Sequence, residues 1–141
     1  MTPFGSVQAC LANAFCERTV EAKCNVCDAD NHVQLTHKTT LMAPLPEVLV
    51  IHLKRWRMSR NQVKYVSHPV STSKSWVMGG KEYDLAAVIC SPPGHWYTNA
   101  IRQGVNGKVF IKCDDAATDA IAEDEVLLGK HSNLLFYRMR K

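Results

Sequence analysis

The 141 residues contain no long apolar run, no block of like charge and no internal repeat, and each absence removes a class of protein. The longest apolar stretch, Val48 to Leu53, is interrupted by His52. A bilayer-spanning helix needs about 20 apolar residues, so no membrane partner is expected. Before Cys10 there is no basic segment leading into an apolar one, the pattern of a secretory signal. The chain therefore reads as intracellular, in the cytoplasm or nucleus. Lys and Arg outnumber Asp and Glu by 17 to 13, a net charge of +4, yet the excess is scattered, with small clusters at Lys54, Arg55, Arg57 and at Arg138, Arg140, Lys141. A nucleic-acid binder gathers its cations on one stripe and interleaves aromatics, so nucleic acid is not expected as a partner.

What is present is an ordinary globular composition, 46% apolar and 21% charged, enough for one domain or part of one. Six cysteines stand at Cys10, Cys16, Cys24, Cys27, Cys90 and Cys113. Their even number permits disulfides, but the Cys24-Asn-Val-Cys27 spacing and the missing signal favour metal binding in a reducing compartment.

Apolar residues Val7, Cys10, Leu11, Ala14 and Phe15 recur at helical spacing and predict a helix from Ser6, its N-cap, to about Arg18. His32 to His37 alternates as a strand does. Pro44 to Trp56 begins with two prolines and continues with β-branched residues, which predicts a buried, central strand with His52 and Trp56 packed in the core. Further strands are expected at Lys64–Ser67, Tyr83–Cys90, His95–Arg102, Lys108–Lys112 and Leu134–Met139, and a helix from about Thr118 to Leu128. The sum is an α+β chain dominated by antiparallel strands.

The most informative local feature is Gly94-His95-Trp96, followed nineteen residues after the histidine by Asp114-Asp115. A hairpin turning at Gly104-Val-Asn-Gly107 explains the interval. Pairing Arg102 with Gly107, or Gln103 with Lys108, sets His95 opposite Asp114 or Ala116. A carboxylate there accepts a hydrogen bond from the imidazole N–H, fixes the tautomer and stabilises the imidazolium formed in proton transfer.

The order of motifs goes further than any one of them. Cys24-Asn-Val-Cys27, Leu45-Pro-Glu-Val-Leu-Val-Ile-His-Leu-Lys-Arg-Trp56, Tyr83-Asp-Leu-Ala-Ala-Val-Ile89, Gly94-His95-Trp96, Asp114-Asp115 and Leu134-Leu-Phe-Tyr-Arg138 resemble, in sequence order, the signatures of the ubiquitin-specific protease family. The resemblance implies a papain-like cysteine-protease fold, with residues 1–141 as the C-terminal part of the catalytic domain. About 6–40 would be a helix and the zinc-knuckle part of the fingers, and about 44–141 the antiparallel palm. It implies a deubiquitinating thiol protease acting after the C-terminal glycine of ubiquitin, with ubiquitin or a ubiquitin-conjugated protein as partner. His95 takes the role of general base, Asp114 orients it, and Asp115 is the neighbouring polar residue. The family's nucleophile box, resembling N-x-G-N-T-C-Y-x-N-S, has no counterpart here, so an N-terminal segment or second chain is expected to supply the cysteine. Cys10 has an Asn three residues later, as that box does. Gly5 and Val7 nevertheless replace the box's Asn and Gly, and Cys24 follows only fourteen residues on. A reading of a different class is a non-catalytic ubiquitin-binding or scaffold module, against which the retained His95 and Asp114 speak.

Cys24 and Cys27 can offer two thiolates to one zinc, half of a tetrahedral site, and the resembling family brings the other pair from upstream. His32 and His37 offer a local alternative, although alternation sends them to opposite faces of a strand. If the site is a half-site, the chain alone binds substoichiometric zinc and reaches one ion per chain only with an upstream segment added. One zinc per isolated chain, measured by elemental analysis, would favour the local Cys/His set instead.

Overall fold

The computed structural model describes residues 5–22, 34–38 and 44–141. Its first helix, α1, spans Val7–Phe15, and Ser6 caps it as its sequence predicts, with extended backbone and Oγ accepting the Ala9 N–H at 3.2 Å. The helix stops short of Arg18 because the chain turns extended at Cys16 and continues as strand β1 (Arg18–Ala22), which was not expected. β1 pairs antiparallel with β2 (Gln34–Lys38), from Arg18↔Lys38 to Ala22↔Gln34. His37 is exposed and faces Glu17 at 3.4 Å. Cys24, Cys27 and His32 lie outside the described residues.

The remaining elements are β3 (Val48–His52), β4 (Trp56–Ser59), β5 (Gln62–Tyr65), β6 (Ser75–Met78), β7 (Lys81–Cys90), β8 (Tyr97–Gly104), β9 (Gly107–Asp114), β10 (Ala117–Ala120), α2 (Glu123–Leu127) and β11 (Ser132–Met139). Two-residue turns join β4 to β5 and β6 to β7. Each has both central residues at positive φ, Arg60-Asn61 at 49° and 60° and Gly79-Gly80 at 55° and 75°, the backbone that matches strand twist in a tight hairpin.

Seven strands form one antiparallel sheet in the order β10-β9-β8-β7-β11-β3, with β6 beside the start of β7. β7 is the organising strand. One flank pairs β6 through Lys81–Asp84 and then β8 through Ala87–Cys90, while the other pairs β11. Tyr137↔Leu85 and Phe136↔Ala87 leave Ala86 as an extra residue, a bulge, and the buried positions change phase there from Tyr83 and Leu85 to Val88 and Cys90. Those four pack with Leu49, Ile51, Leu135, Tyr137 and Phe110. The core is closed by Val7 of α1, Val126 of α2 and Val70. Burying aromatics of this size requires partners for their hydroxyls. Tyr83 donates to the Pro46 carbonyl at 2.6 Å and Tyr137 to that of Ser73 at 2.9 Å. α1 is held by Val7 N–H to Ser71 O and Ser71 N–H to Gly5 O, and α2 by Thr72 N–H to Leu127 O.

Several sequence expectations need correction. The strand predicted over Pro44–Trp56 is only Val48–His52 and lies at the sheet edge, not its centre. Only one face of it is covered, so Val48 and Val50 are half exposed, as is Trp56, and His52 is exposed. The preceding prolines have no N–H to give a ladder, which confines pairing to the later residues. The helix expected from Thr118 contracts to Glu123–Leu127, because Asp115, at φ 51°, turns the chain back and 117–120 pairs with β9. The strand predicted at Lys64–Ser67 is moved to Gln62–Tyr65 by the turn at Arg60-Asn61, and β6 was not anticipated. The antiparallel, β-rich α+β character is borne out. No described helix is long and apolar enough to cross a membrane.

Arg55 is 3% exposed and, among the described residues, its guanidinium bonds to backbone carbonyls alone: Ser132 and His68 at 2.6 Å, Gly129 at 3.3 Å and Val66 at 3.4 Å. The planar fork bridges two separate segments, 66–68 and 129–132, through four acceptors, one more than a lysine ammonium has donors for. Truncation would leave buried acceptors unpaired. Arg55→Ala is expected to lower unfolding free energy in urea by about 2–4 kcal/mol, whereas a loss below about 1 kcal/mol would contradict this role.

Candidate active site

The residues Ser91-Pro-Pro-Gly-His95 connect β7 to β8, and their chemistry dictates the connection. Pro93 supplies the fixed φ of a turn's second position, and Gly94, at φ 79°, supplies the left-handed third. The N–H of His95 closes the turn on the Pro92 carbonyl at 3.2 Å. The turn stands on a buried base. Ser91, 3% exposed, donates its N–H to His131 O at 2.9 Å and accepts at Oγ from the Asn133 amide. His95 is therefore presented by a short turn of fixed geometry at the end of two strands.

Asp114 arrives on the next hairpin. β8 and β9 pair from Gly104↔Gly107 to Thr98↔Cys113, the Gln103↔Lys108 alternative of the two registers considered. That register continues to Ala116 opposite His95, so the carboxylate is reached diagonally. His95 Nε2 lies 2.5 Å from Asp114 Oδ1, with side chains 43% and 25% exposed. With Nε2 turned to the carboxylate, Nδ1 is the nitrogen left to exchange a proton. Asp115 follows in the turn to β10 and brings its carboxylate close. His95, Asp114 and Asp115 each place a possible ligand atom within 4.8 Å of the others, the described cluster of such groups, and it contains no cysteine.

Two further residues complete the surroundings, and sequence inspection had missed both. Lys112 Nζ binds Asp114 Oδ2 at 2.8 Å and sits 4.5 Å from the centre of the Tyr97 ring. Alternation along a strand puts residues two apart on one face, so Lys112 was legible as Asp114's neighbour. Tyr97 is cross-strand from Cys90, and its ring stacks at 6.4 Å from that of His95. Lys112, first, and then His95 hold the Asp114 carboxyl below the usual aspartate range, and Asp114 in turn raises Lys112. Burial pushes the Tyr97 phenol up.

None of the described thiols is placed or activated as a nucleophile for His95. Cys10 and Cys90 have their pKa raised by burial, the reverse of what a thiolate needs. Cys113 precedes Asp114 by one residue and faces the other side of the sheet. Cys16 is exposed beyond the end of α1 and contacts Asn13 O. Among the described residues, the His95 ring bonds to Asp114 and to no sulfur.

With this geometry in hand, comparison with known proteins defines the class. The chain matches the ubiquitin carboxyl-terminal hydrolase family over residues 6–137 and belongs to it. Among solved structures, it is similar in fold to the SAGA Ubp8/Sgf11/Sus1/Sgf73 DUB module bound to ubiquitin aldehyde, with TM-score 0.80, 20% identity, and coverage of 100% of this chain and 35% of that one. A Ubp8-Sgf11-Sgf73-Sus1 SAGA DUB module gives TM-score 0.73 at 20% identity over 100% of this chain and 32% of that one. A yeast SAGA DUB module with a substituted Sgf73 gives 0.71 at 20% identity over 96% and 33%. The chain thus spans about a third of the length of the solved chains it resembles. No curated protein matches it.

The depressed Asp114 sets the sign of a pH effect. A carboxylate whose folded pKa lies below its unfolded value contributes stability fully above the ordinary range, near 3.9, and loses it as pH falls through the folded value. The His95–Asp114–Lys112 contacts are therefore expected to persist to below about pH 3.9. The carboxyl carbon of Asp114, followed by NMR titration, should show a midpoint under that value; a midpoint at or above it would contradict the ion pairing.

Proposed function

We propose that this chain supplies the histidine and aspartate of a deubiquitinating thiol protease that hydrolyses the bond after the C-terminal glycine of ubiquitin, the nucleophilic cysteine lying on a segment outside it. The observation that carries the reading is the 2.5 Å contact of His95 Nε2 with Asp114, which leaves Nδ1 without a hydrogen-bond partner among the described residues at a half-exposed site. Family membership over residues 6–137 supplies the reaction class.

In the complete enzyme, His95 Nδ1 takes the thiol proton. The thiolate attacks the glycyl carbonyl carbon, and the imidazolium returns the proton to the leaving amine as the C–N bond breaks. Water, deprotonated by the same nitrogen, then cleaves the thioester and restores the thiol. Asp114 keeps the ring in the tautomer that makes both transfers possible, and Asp115 shapes the turn that ends beside it. The partners proposed are ubiquitin or a ubiquitin-conjugated protein and the nucleophile-bearing segment or second chain, in the cytoplasm or nucleus.

The division into a helix-and-knuckle part over about 6–40 and a palm over about 44–141 belongs to the same proposal. Cys24 and Cys27 would hold a structural zinc as thiolates, and the β1–β2 ladder is compatible with this because its last pair, Ala22↔Gln34, brackets them in sequence. The ion would tie this part of the chain to the segment that supplies its other two ligands and stabilise the fold.

Mixing the chain with a nucleophile-bearing N-terminal partner and a fluorogenic ubiquitin conjugate tests the proposal. Hydrolysis is expected, with loss of about 10³-fold or more in kcat for His95→Ala. Tight ubiquitin binding without hydrolysis in any combination would overturn it in favour of a non-catalytic module.

A further inference from the structure

We infer that Lys112 is a positioning residue for the dyad: its ammonium clamps the second oxygen of Asp114, aims the first at His95, and keeps the imidazole from holding its proton too tightly. The inference rests on the reading of His95 and Asp114 as a dyad and adds a third member to it.

The geometry is specific. Asp114 offers two oxygens, and each has one partner: Oδ1 meets His95 Nε2 at 2.5 Å and Oδ2 meets Lys112 Nζ at 2.8 Å. A carboxylate held at one oxygen only can rotate about its Cβ–Cγ bond and exchange which oxygen faces the ring. Held at both, it presents a fixed acceptor. Lys112 is itself constrained. Its ammonium rests 4.5 Å from the Tyr97 ring centre, and its backbone is locked between Asn99 of β8 and Asp119 of β10. A flexible lysine is thereby given a defined place.

The electrostatic consequence follows from the sign of the charges. An anionic Asp114 beside the ring stabilises the imidazolium that forms in proton transfer. A cation bound to the same carboxylate opposes that effect, because it offsets the negative charge and repels the imidazolium. The other charged or titratable groups around the pair are Asp115 on the same turn, Tyr97 from β8, Cys90 from β7 and Asp119 from β10. The tyrosine and cysteine are neutral at physiological pH, and burial pushes both further that way. Lys112 is thus the described cation that directly contacts the dyad. In the proposed reaction it tempers the pull of Asp114 on the imidazolium while holding the carboxylate in place.

The test needs no catalysis. The ring protons of His95 are titrated by NMR in the full chain and in Lys112→Met, Lys112→Gln, Lys112→Arg and Asp114→Asn, with thermal melts verifying that each variant folds. Both neutral variants should move the His95 midpoint to higher pH. Lys112→Arg, which keeps the cation, should stay near the wild-type midpoint, and Asp114→Asn should lower it. If Asp114→Asn lowers the midpoint while the neutral variants leave it in place, Lys112 is a passive surface partner and the inference fails with the dyad intact. If Asp114→Asn itself changes nothing, the dyad reading fails and takes the inference with it.

Discussion

The ladder between β8 and β9 decides where a histidine and an aspartate nineteen residues apart come to rest. Strand pairing has a period of two, so a slip of one residue would send Asp114 and Lys112 to the opposite face and leave His95 without an acceptor. The register is fixed at one end by the Gly104↔Gly107 turn and on one face by Phe110, buried across from Ile101. The same alternation that aims Phe110 at the core aims Lys112 and Asp114 along it toward the rim. Placement of the His95–Asp114 pair and core packing are thus one constraint rather than two.

The histidine's side depends on a second support. Ser91 begins the turn that presents His95, and it is tied to His131 and Asn133, which sit where β11 starts. Arg55 holds that start through Ser132 and Gly129 and binds it to the segment after β5 through His68 and Val66. A buried cation with no carboxylate among its partners in the described residues is costly to desolvate, and it is tolerated because carbonyl dipoles from two segments converge on it. The consequence is mechanical. The loop carrying His95 is anchored to the same core that carries β9, so ring and carboxylate cannot drift independently.

Much of this is legible in the sequence. Ser6 as a cap, Tyr83–Cys90 and Leu134–Met139 as strands, and the His95/Asp114 pairing through a hairpin all follow from local chemistry and period-two alternation. The failures share a physical origin. Val48–His52 was read as central because its composition is β-branched, but composition does not say how many faces are covered. The helix expected from about Thr118 to Leu128 begins only at Glu123, because the turn at Asp115 and the open edge of β9 draw 117–120 into the sheet. Lys112 was overlooked because a lysine near an aspartate is ordinary on a surface. Only the shared face with His95 and the ring of Tyr97 give it meaning.

Which imidazole nitrogen Asp114 engages decides which one the proposed reaction leaves to work on a thiol. Assigning the neutral tautomer of His95 by ¹⁵N NMR of the ring in the intact chain measures this directly. The proton is predicted on Nε2, lost as a distinct hydrogen-bonded signal when Asp114 is replaced by Ala, with Nδ1 bare. A neutral ring carrying its proton on Nδ1 would contradict the account, since the nitrogen needed as base would then face the carboxylate.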